Sequence, residues 1–265
     1  MFCPHAAIRI KAMTAAQADL ARANGIIVVP MKTPELGPDM YYTLNISPAD
    51  CTGCGVCVKN CPVYALAMVN AADDTDAQKR FDAAQKIPDM PREKLNLNIP
   101  KHVELLPHYF EFPGACAGCG ETPYIKLLAH LFGDRMVVAN ATGCSSIYGA
   151  NLPTTPWTAD ANGRGPAWSN SLFEDNAEYG LGMRIALNQK RENLRGLLCE
   201  LGVKNTDEIF AETNIGKQRE NESALRTLLS KDKSPRARLA ESLLDAVVDK
   251  SLWIIGGDGW AYDIG

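Results

Sequence analysis

No apolar segment of the 265-residue chain is long enough to cross a bilayer, and its start has no signal-peptide pattern. Basic runs are missing as well, and the formal net charge is -4, which argues against nucleic acid as a partner and gives no reason to expect membrane binding. The spacing of a disulfide scaffold is also absent. The nine cysteines fall mostly in C-x-x-C pairs, which suits thiolates kept for metal in a reducing cytoplasm. What remains is ordinary: 46% apolar and 22% charged residues, in a chain long enough for two domains or one large one.

The most informative stretch is Cys51-Thr-Gly-Cys54-Gly-Val-Cys57-Val-Lys-Asn-Cys61-Pro62, a C-x2-C-x2-C-x3-C-P run of the bacterial ferredoxin type. Thiols at i, i+3 and i+6 let one loop wrap a cube of iron and sulfide, with Gly53 and Gly55 allowing close backbone approach. The fourth cysteine cannot fold back onto the same cube. Cys61 is expected at the mouth of a helix with Pro62 at its first position, pointing toward a second cluster. The alternative is a zinc site, although structural zinc usually takes two well-separated C-x-x-C pairs.

The chain opens on Met1-Phe-Cys3-Pro4-His-Ala-Ala-Ile, which repeats the end of that run, Cys61-Pro62-Val-Tyr-Ala-Leu. In two-cluster ferredoxins each fourth cysteine serves the opposite cluster, so Cys3 is expected to complete the cube of Cys51, Cys54 and Cys57. The remaining partners of Cys61 are then expected upstream of Met1, as though the chain were cut there. Cys3 as a free thiol is the other reading. Lys11 to Ala23 reads as a short helix, Gly25-Ile-Ile-Val-Val as a strand stopped by Pro30, and Tyr41 to Ile46 as a strand delivering the chain into the cluster loop. Residues 1–72 are expected to form the ferredoxin-like unit and 73–112 a surface helix followed by a linker. His102 and His108 fall in that linker and read as solvated or structural histidines.

A second domain, 113–265, opens on Cys116-Ala-Gly-Cys119-Gly-Glu121, followed by a helix pattern from Tyr124 to Phe132. Arg135-Met-Val-Val-Ala-Asn reads as a buried strand ending at Ala141-Thr-Gly-Cys144, where α/β proteins place their chemistry. Cys116, Cys119 and Cys144 suggest a metal corner with three thiolates. A thioredoxin-like redox pair and half a zinc knuckle stay open. Cys199 reads as core packing on a helix face. Residues 151–169 read as a long loop, and Asn170 onward as a helix with Gly180, Gly182 and an apolar face of Leu181, Ile185 and Leu187. The 190–249 stretch reads as charged amphipathic helices broken near Gly202 and Pro235. Ser251-Leu-Trp-Ile-Ile then reads as a parallel strand running into Gly257-Asp258-Gly259. A carboxylate there suits magnesium that bridges phosphate oxygens.

Six segments together carry a family resemblance: the Cys-Pro-His-Ala-Ala-Ile opening, the ferredoxin loop, Cys116 to Tyr124, Ala141 to Gly149, Asn170 to Gly180, and Gly257-Asp-Gly-Trp260-Ala-Tyr-Asp-Ile-Gly. In this order they resemble a middle part of pyruvate:ferredoxin (flavodoxin) oxidoreductase. The resemblance implies an α+β ferredoxin-like domain with two [4Fe-4S] clusters, followed by the first half of an α/β, parallel-sheet thiamine diphosphate-binding domain. It assigns Cys3, Cys51, Cys54, Cys57 and Cys61 to the ferredoxin-type clusters. It also gives Cys116, Cys119 and Cys144 to a third cluster near the thiamine cofactor, whose fourth ligand lies further downstream.

By the same resemblance Glu121 lies near the thiamine cofactor, and a helix-start carboxylate is its other reading. Gly257, Asp258, Gly259 and Trp260 match the diphosphate and Mg2+ signature, without the asparagine that normally follows it. The implied reaction is oxidative decarboxylation of pyruvate to acetyl-CoA in the cytoplasm, with electrons passing to ferredoxin or flavodoxin in a homodimer. The carboxylate that activates thiamine is assigned to a part of the enzyme outside these residues, so no catalytic residue is assigned here. A stand-alone electron carrier, another 2-oxoacid:ferredoxin oxidoreductase and a zinc-stabilised interaction module are the rival expectations.

Overall fold

The computed structural model describes residues 3–150, 155–257 and 259–261. The chain divides into two compact units, Met1–Asp134 with Ser146–Pro166, and Arg135–Ser145 with Ala167–Gly265.

In the first unit, β1 (Ile8–Thr14) runs antiparallel to β3 (Met40–Ile46), and the short β2 (Val29–Pro30) pairs with the other side of β3. The expected helix from Lys11 begins only at α1 (Ala15–Ala23), because Lys11 to Thr14 are needed as strand partners of Met40 to Thr43. Thr14 and Gln17 then form a reciprocal capping box that starts the helix. Met13, Ala18, Ala21, Ile26 and Ala84 pack together on one side of this unit.

After β3 come the cysteine loop, a single turn α2 (Val56–Lys59), and α3 (Ala77–Gln85). Cys61 does not open a helix. Tyr64 takes a left-handed φ of 51°, so Cys61-Pro62-Val63-Tyr64 closes as a turn. The stretch after α3 is packed: α4 (Pro100–Val103), Leu105 and Leu106 join Ala12 and Leu95 in a second cluster, against Leu127 and Leu131 of α5 (Thr122–Phe132). His102 is buried there, and its Nδ1 accepts from the Asn96 amide at 3.0 Å.

The second unit holds a parallel sheet in the order β5 (Ala167–Asn170), β4 (Met136–Asn140), β6 (Ser251–Ile255). The short helix α6 (Cys144–Gly149) follows β4. Between β5 and β6 the chain forms α7 (Asn176–Glu200), α8 (Thr206–Ala211), α9 (Ile215–Leu229) and α10 (Pro235–Ser242). Their core is Leu194, Leu198, Leu225, Leu229, Ala237, Ala240, Leu244 and Val247. Each large aliphatic side chain removed from water there contributes about 1.5–3 kcal/mol before entropy is counted.

Two expectations about α7 are corrected. Leu181 and Ile185 are exposed and Gly180 is buried, because a Cβ at Gly180 would lie 2.6 Å from Ile254. The helix can pass that close to the strand only where no side chain intervenes. Cys199 is exposed, since Leu194 and Leu198 define the buried face and position 199 is about 100° round from it.

Candidate functional site

Cys3, Cys51, Cys54 and Cys57 line one cavity of about 300 Å³, together with the apolar side chains of Ile8 and Ile46. The loop reaches round it because Gly53 and Gly55 adopt φ of 67° and 73°, and a Cβ at either would point into open space. Burial pushes the Cys57 thiol up, and the nearby sulfurs of Cys3 and Cys51 act in the same direction. Removing the protons from clustered thiols therefore needs a compensating positive charge, which a metal supplies. Among the described residues no group of three or more His, Cys, Asp or Glu is arranged to hold a single metal ion. The four thiols ring a space, and in a cube each thiolate binds its own iron. Size, apolar walls and donor set all fit such a group.

Cys3 is held by its own turn. Its sulfur accepts the Ala7 amide hydrogen at 3.3 Å, and Arg9 donates Nε to the Ala6 carbonyl at 2.6 Å. Arg9 is buried, pairs with Glu111 and lies 5.0 Å from the centre of the Phe112 ring. Cys61 is not among the residues lining the cavity. The amide of Ala65, foremost among several backbone N–H groups around its sulfur, holds the Cys61 thiol below the usual range.

Cys116 and Cys119 lie in a tight turn, with the Cys119 amide donating to the Cys116 carbonyl at 3.0 Å. A Cβ on Gly118 would meet Cys54 Cβ at 3.9 Å, so this turn sits beside the ferredoxin-type loop. Glu121 is half-buried at the N-cap of α5 and makes no side-chain capping bond.

Cys144 belongs to the second unit, where it opens α6 at the carboxyl end of β4. The carboxyl edge of that sheet is a hydrogen-bonded polar net. Asn176 donates to the Ile255 carbonyl at 3.0 Å and accepts from Ser171 Oγ at 2.9 Å. Asn140 donates to Ser145 Oγ at 3.0 Å, and Thr142 to the Ser171 carbonyl at 3.0 Å. Asp258 lies outside the described residues. Of its neighbours, Gly257 faces open space where a Cβ would stand, and Trp260 covers Gly256, at which a Cβ would meet the indole at 2.6 Å.

Sequence reasoning singled out neither His5 nor Asn176. Both act through partners distant in sequence, and a single Asn or His gives no spacing to read.

Residues 44–67 match the family described as 4Fe-4S binding domain. Over its whole length the chain is 47% identical to pyruvate-flavodoxin oxidoreductase of Rhodospirillum rubrum, of which it covers 24%. It is 46% identical over 99% of its length to a putative pyruvate-flavodoxin oxidoreductase of Synechocystis, covering 23% of that protein. Against pyruvate:ferredoxin oxidoreductase of Moorella thermoacetica the figures are 40% identity over the whole chain and 24% of the relative. The chain is homologous to one segment of these oxidoreductases. It spans about a quarter of their length. Within that segment lie the 4Fe-4S binding stretch, the C-x-x-C turn and the parallel sheet. The described helices include none long and apolar enough to cross a membrane.

Proposed function

We propose that the chain holds a [4Fe-4S] cluster on Cys3, Cys51, Cys54 and Cys57, and serves as the electron-transfer and cofactor-adjoining segment of a pyruvate:flavodoxin (ferredoxin) oxidoreductase. The observation that carries the reading is the cavity ringed by these four thiols, two of which, Cys54 and Cys57, stand at the mouth and body of α2. In the same reading Cys61 serves a second cluster, and Cys116, Cys119 and Cys144 a third.

Thiamine diphosphate with Mg2+ supplies a nucleophilic carbon for the 2-oxo carbon of pyruvate and an electron sink for decarboxylation. Toward that group Gly257 offers bare backbone, Asp258 a metal-binding carboxylate and Trp260 an apolar wall, while Glu121 and Cys144 are proposed to lie near it. The Asn140, Ser171 and Asn176 net holds the strand end that leads to Gly257. Ile8, Ile46 and the other apolar residues lining the cysteine cavity give the cluster low-polarity surroundings, one of the factors that tune its potential. Ferredoxin or flavodoxin is the proposed acceptor, coenzyme A the acetyl acceptor, and a homodimer in the cytoplasm the setting.

Anaerobic reconstitution with iron and sulfide tests the first claim. The expected product is brown and carries about four irons and four sulfides on this cavity. A colourless protein that takes up one zinc per chain in preference to iron would sink the reading. The second claim is tested by exchanging the chain for the matching segment of the Rhodospirillum rubrum relative. Pyruvate-dependent flavodoxin reduction is expected to survive the exchange. Asp258→Ala in the exchanged protein is expected to weaken thiamine diphosphate binding while the iron content stays constant.

A further inference from the structure

His5 is 5% exposed, stands two residues after Cys3, and lines the cavity that Cys3 shares with Cys51, Cys54 and Cys57. Its Nε2 lies 3.0 Å from the carbonyl oxygen of Ala115, the residue before Cys116. Its Nδ1 lies 3.5 Å from Oγ1 of Thr52, the residue after Cys51. A carbonyl only accepts, so Nε2 carries the hydrogen bonded to Ala115, and Nδ1 faces a Thr52 hydroxyl that can either donate or accept. The His5 carbonyl in turn accepts the Phe112 amide at 3.0 Å, which fixes the backbone on the approach to the Cys116 turn. On another side the Cys116–Cys119 turn meets the ferredoxin-type loop directly, through Gly118 beside Cys54 and Val56.

We propose that His5 is a positioning residue that locks the Cys51–Cys57 loop to the Cys116–Cys119 turn and sets the surroundings of the cluster held beside it. The proposal rests on the cluster reading above. Groups that hydrogen-bond to the backbone next to a ligand orient that ligand, and the polarity and packing around the sulfurs tune the potential. An imidazole bonded at both nitrogens holds two loops at once, which neither a methyl group nor a hydroxyl at this position could span. The ring gives up no electron and no proton in this role. A buried histidine that merely fills space would leave the cluster's electronic properties alone.

The test uses the full chain reconstituted anaerobically with ferrous iron and sulfide. His5→Phe keeps the ring volume and removes both side-chain bonds, and His5→Gln keeps a donor able to reach Ala115. Thr52→Val removes the hydroxyl alone. All forms are expected to carry equal iron and sulfide. His5→Phe is expected to shift the midpoint potential and the EPR g-values of the reduced cluster, and to speed amide exchange over residues 114–119 about fivefold, the loss of roughly one hydrogen bond. His5→Gln should return both toward wild type, and Thr52→Val should move the EPR signature without the exchange change. Equal potential, g-values and exchange in wild type and His5→Phe overturn the proposal. Should His5→Phe not fold, a Thr52→Val spectrum identical to wild type overturns it. A wild-type chain that takes up no iron overturns the cluster reading together with it.

Discussion

Cys3 and Cys61 sit in the same turn at two places in the chain. The Cys3 sulfur accepts the Ala7 amide at 3.3 Å and the Cys61 sulfur the Ala65 amide at 3.2 Å. Ala6 and Tyr64, each three residues on, take left-handed φ of 52° and 51°, and each donates its amide to the cysteine carbonyl, at 3.2 and 3.1 Å. A left-handed alanine or tyrosine is costly and persists only where its surroundings hold it. Arg9 does so at Ala6, through its Nε donation to the Ala6 carbonyl. The internal repeat seen in Cys-Pro is thus a repeat of geometry, and it places each sulfur at a backbone amide hydrogen four residues on.

The two turns differ in what they face, and this gives the first prediction. Cys3 lines the cavity with Cys51, Cys54 and Cys57, whereas Cys61 does not. Cys51→Ser is expected to abolish the spectrum of the cluster assembled there, and Cys61→Ser to leave it largely intact. Visible absorption and EPR after anaerobic reconstitution decide the matter. Damage confined to Cys61→Ser means that the cavity has been assigned the wrong fourth ligand.

Lys126 and Glu104 form a buried ion pair at 2.8 Å. Burial alone would raise the Glu104 carboxyl, but Lys126 and other nearby cations outweigh it and hold it at about 2, below its ordinary 4.5. The pair's contribution is therefore fully present above pH 4.5 and disappears as pH falls through about 2. Lys126→Met leaves a carboxylate buried without its partner and is expected to cost about 3–5 kcal/mol at neutral pH. Replacing both, as Lys126→Met with Glu104→Leu, should recover most of that loss. Urea unfolding with an unchanged m-value checks both figures, and a double variant no better than the single one contradicts them.

His130 and His108 make the chain sensitive at milder acidity. Their rings meet edge to face at 4.4 Å, and His130 donates Nδ1–H to the Pro107 carbonyl at 3.1 Å while its Nε2 is buried without a hydrogen-bond partner among the described residues. Burial, reinforced by Lys126, pushes His130 down to about 3, and burial with Arg9 pushes His108 well below its ordinary value. The unfolded chain thus binds more protons than the native one between pH 6.5 and about 3, so stability falls as pH drops through that window. His130→Phe is expected to flatten the slope by about 1.4 kcal/mol per pH unit. The region from pH 6.5 down to 4.5 isolates the histidines, because Glu104 is ionised in both states above it. An unchanged slope in His130→Phe would place the titration elsewhere.

The cysteine loop was legible in the sequence because its cysteines are spaced within one short run, where covalent geometry alone limits what the loop can enclose. Two of the three parallel strands were legible for a similar reason: Met136 to Asn140 and Ser251 to Ile255 are short apolar runs of strand length, whereas β5 (Ala167–Asn170) falls where a loop and a helix start were expected. The face of α7 was not, since Leu181 with Ile185 and Leu194 with Leu198 make two i, i+4 apolar pairs on nearly opposite sides of the helix, and only contact with Ile254 shows that the Gly180 side turns inward. His5 was hidden for another reason. Its partner Ala115 is 110 residues away, and no local pattern marks a side chain whose role is to join two loops.

Asn176 carries the last prediction, because it anchors the strand end that leads to Gly257 and Asp258. Fully buried, it donates to the Ile255 carbonyl at 3.0 Å and accepts from Ser171 Oγ at 2.9 Å. Asn176→Ala removes both bonds and is expected to cost about 1–3 kcal/mol, with faster amide exchange over residues 251–261. Asn176→Asp keeps the shape but sets a carboxylate oxygen against a carbonyl oxygen, so at neutral pH it should cost at least as much. Burial beside an acceptor raises the pKa of that introduced carboxyl in the folded state above its unfolded value of about 3.9. Once protonated it can donate to Ile255, so the deficit relative to wild type should shrink as pH falls, opposite in sign to the histidine effect. Unfolding of both proteins at matched pH values decides the point: a deficit that stays constant between pH 7 and 5 would show that Asn176 does not hold the Ile255 carbonyl by donation, roughly the window in which a buried carboxyl titrates.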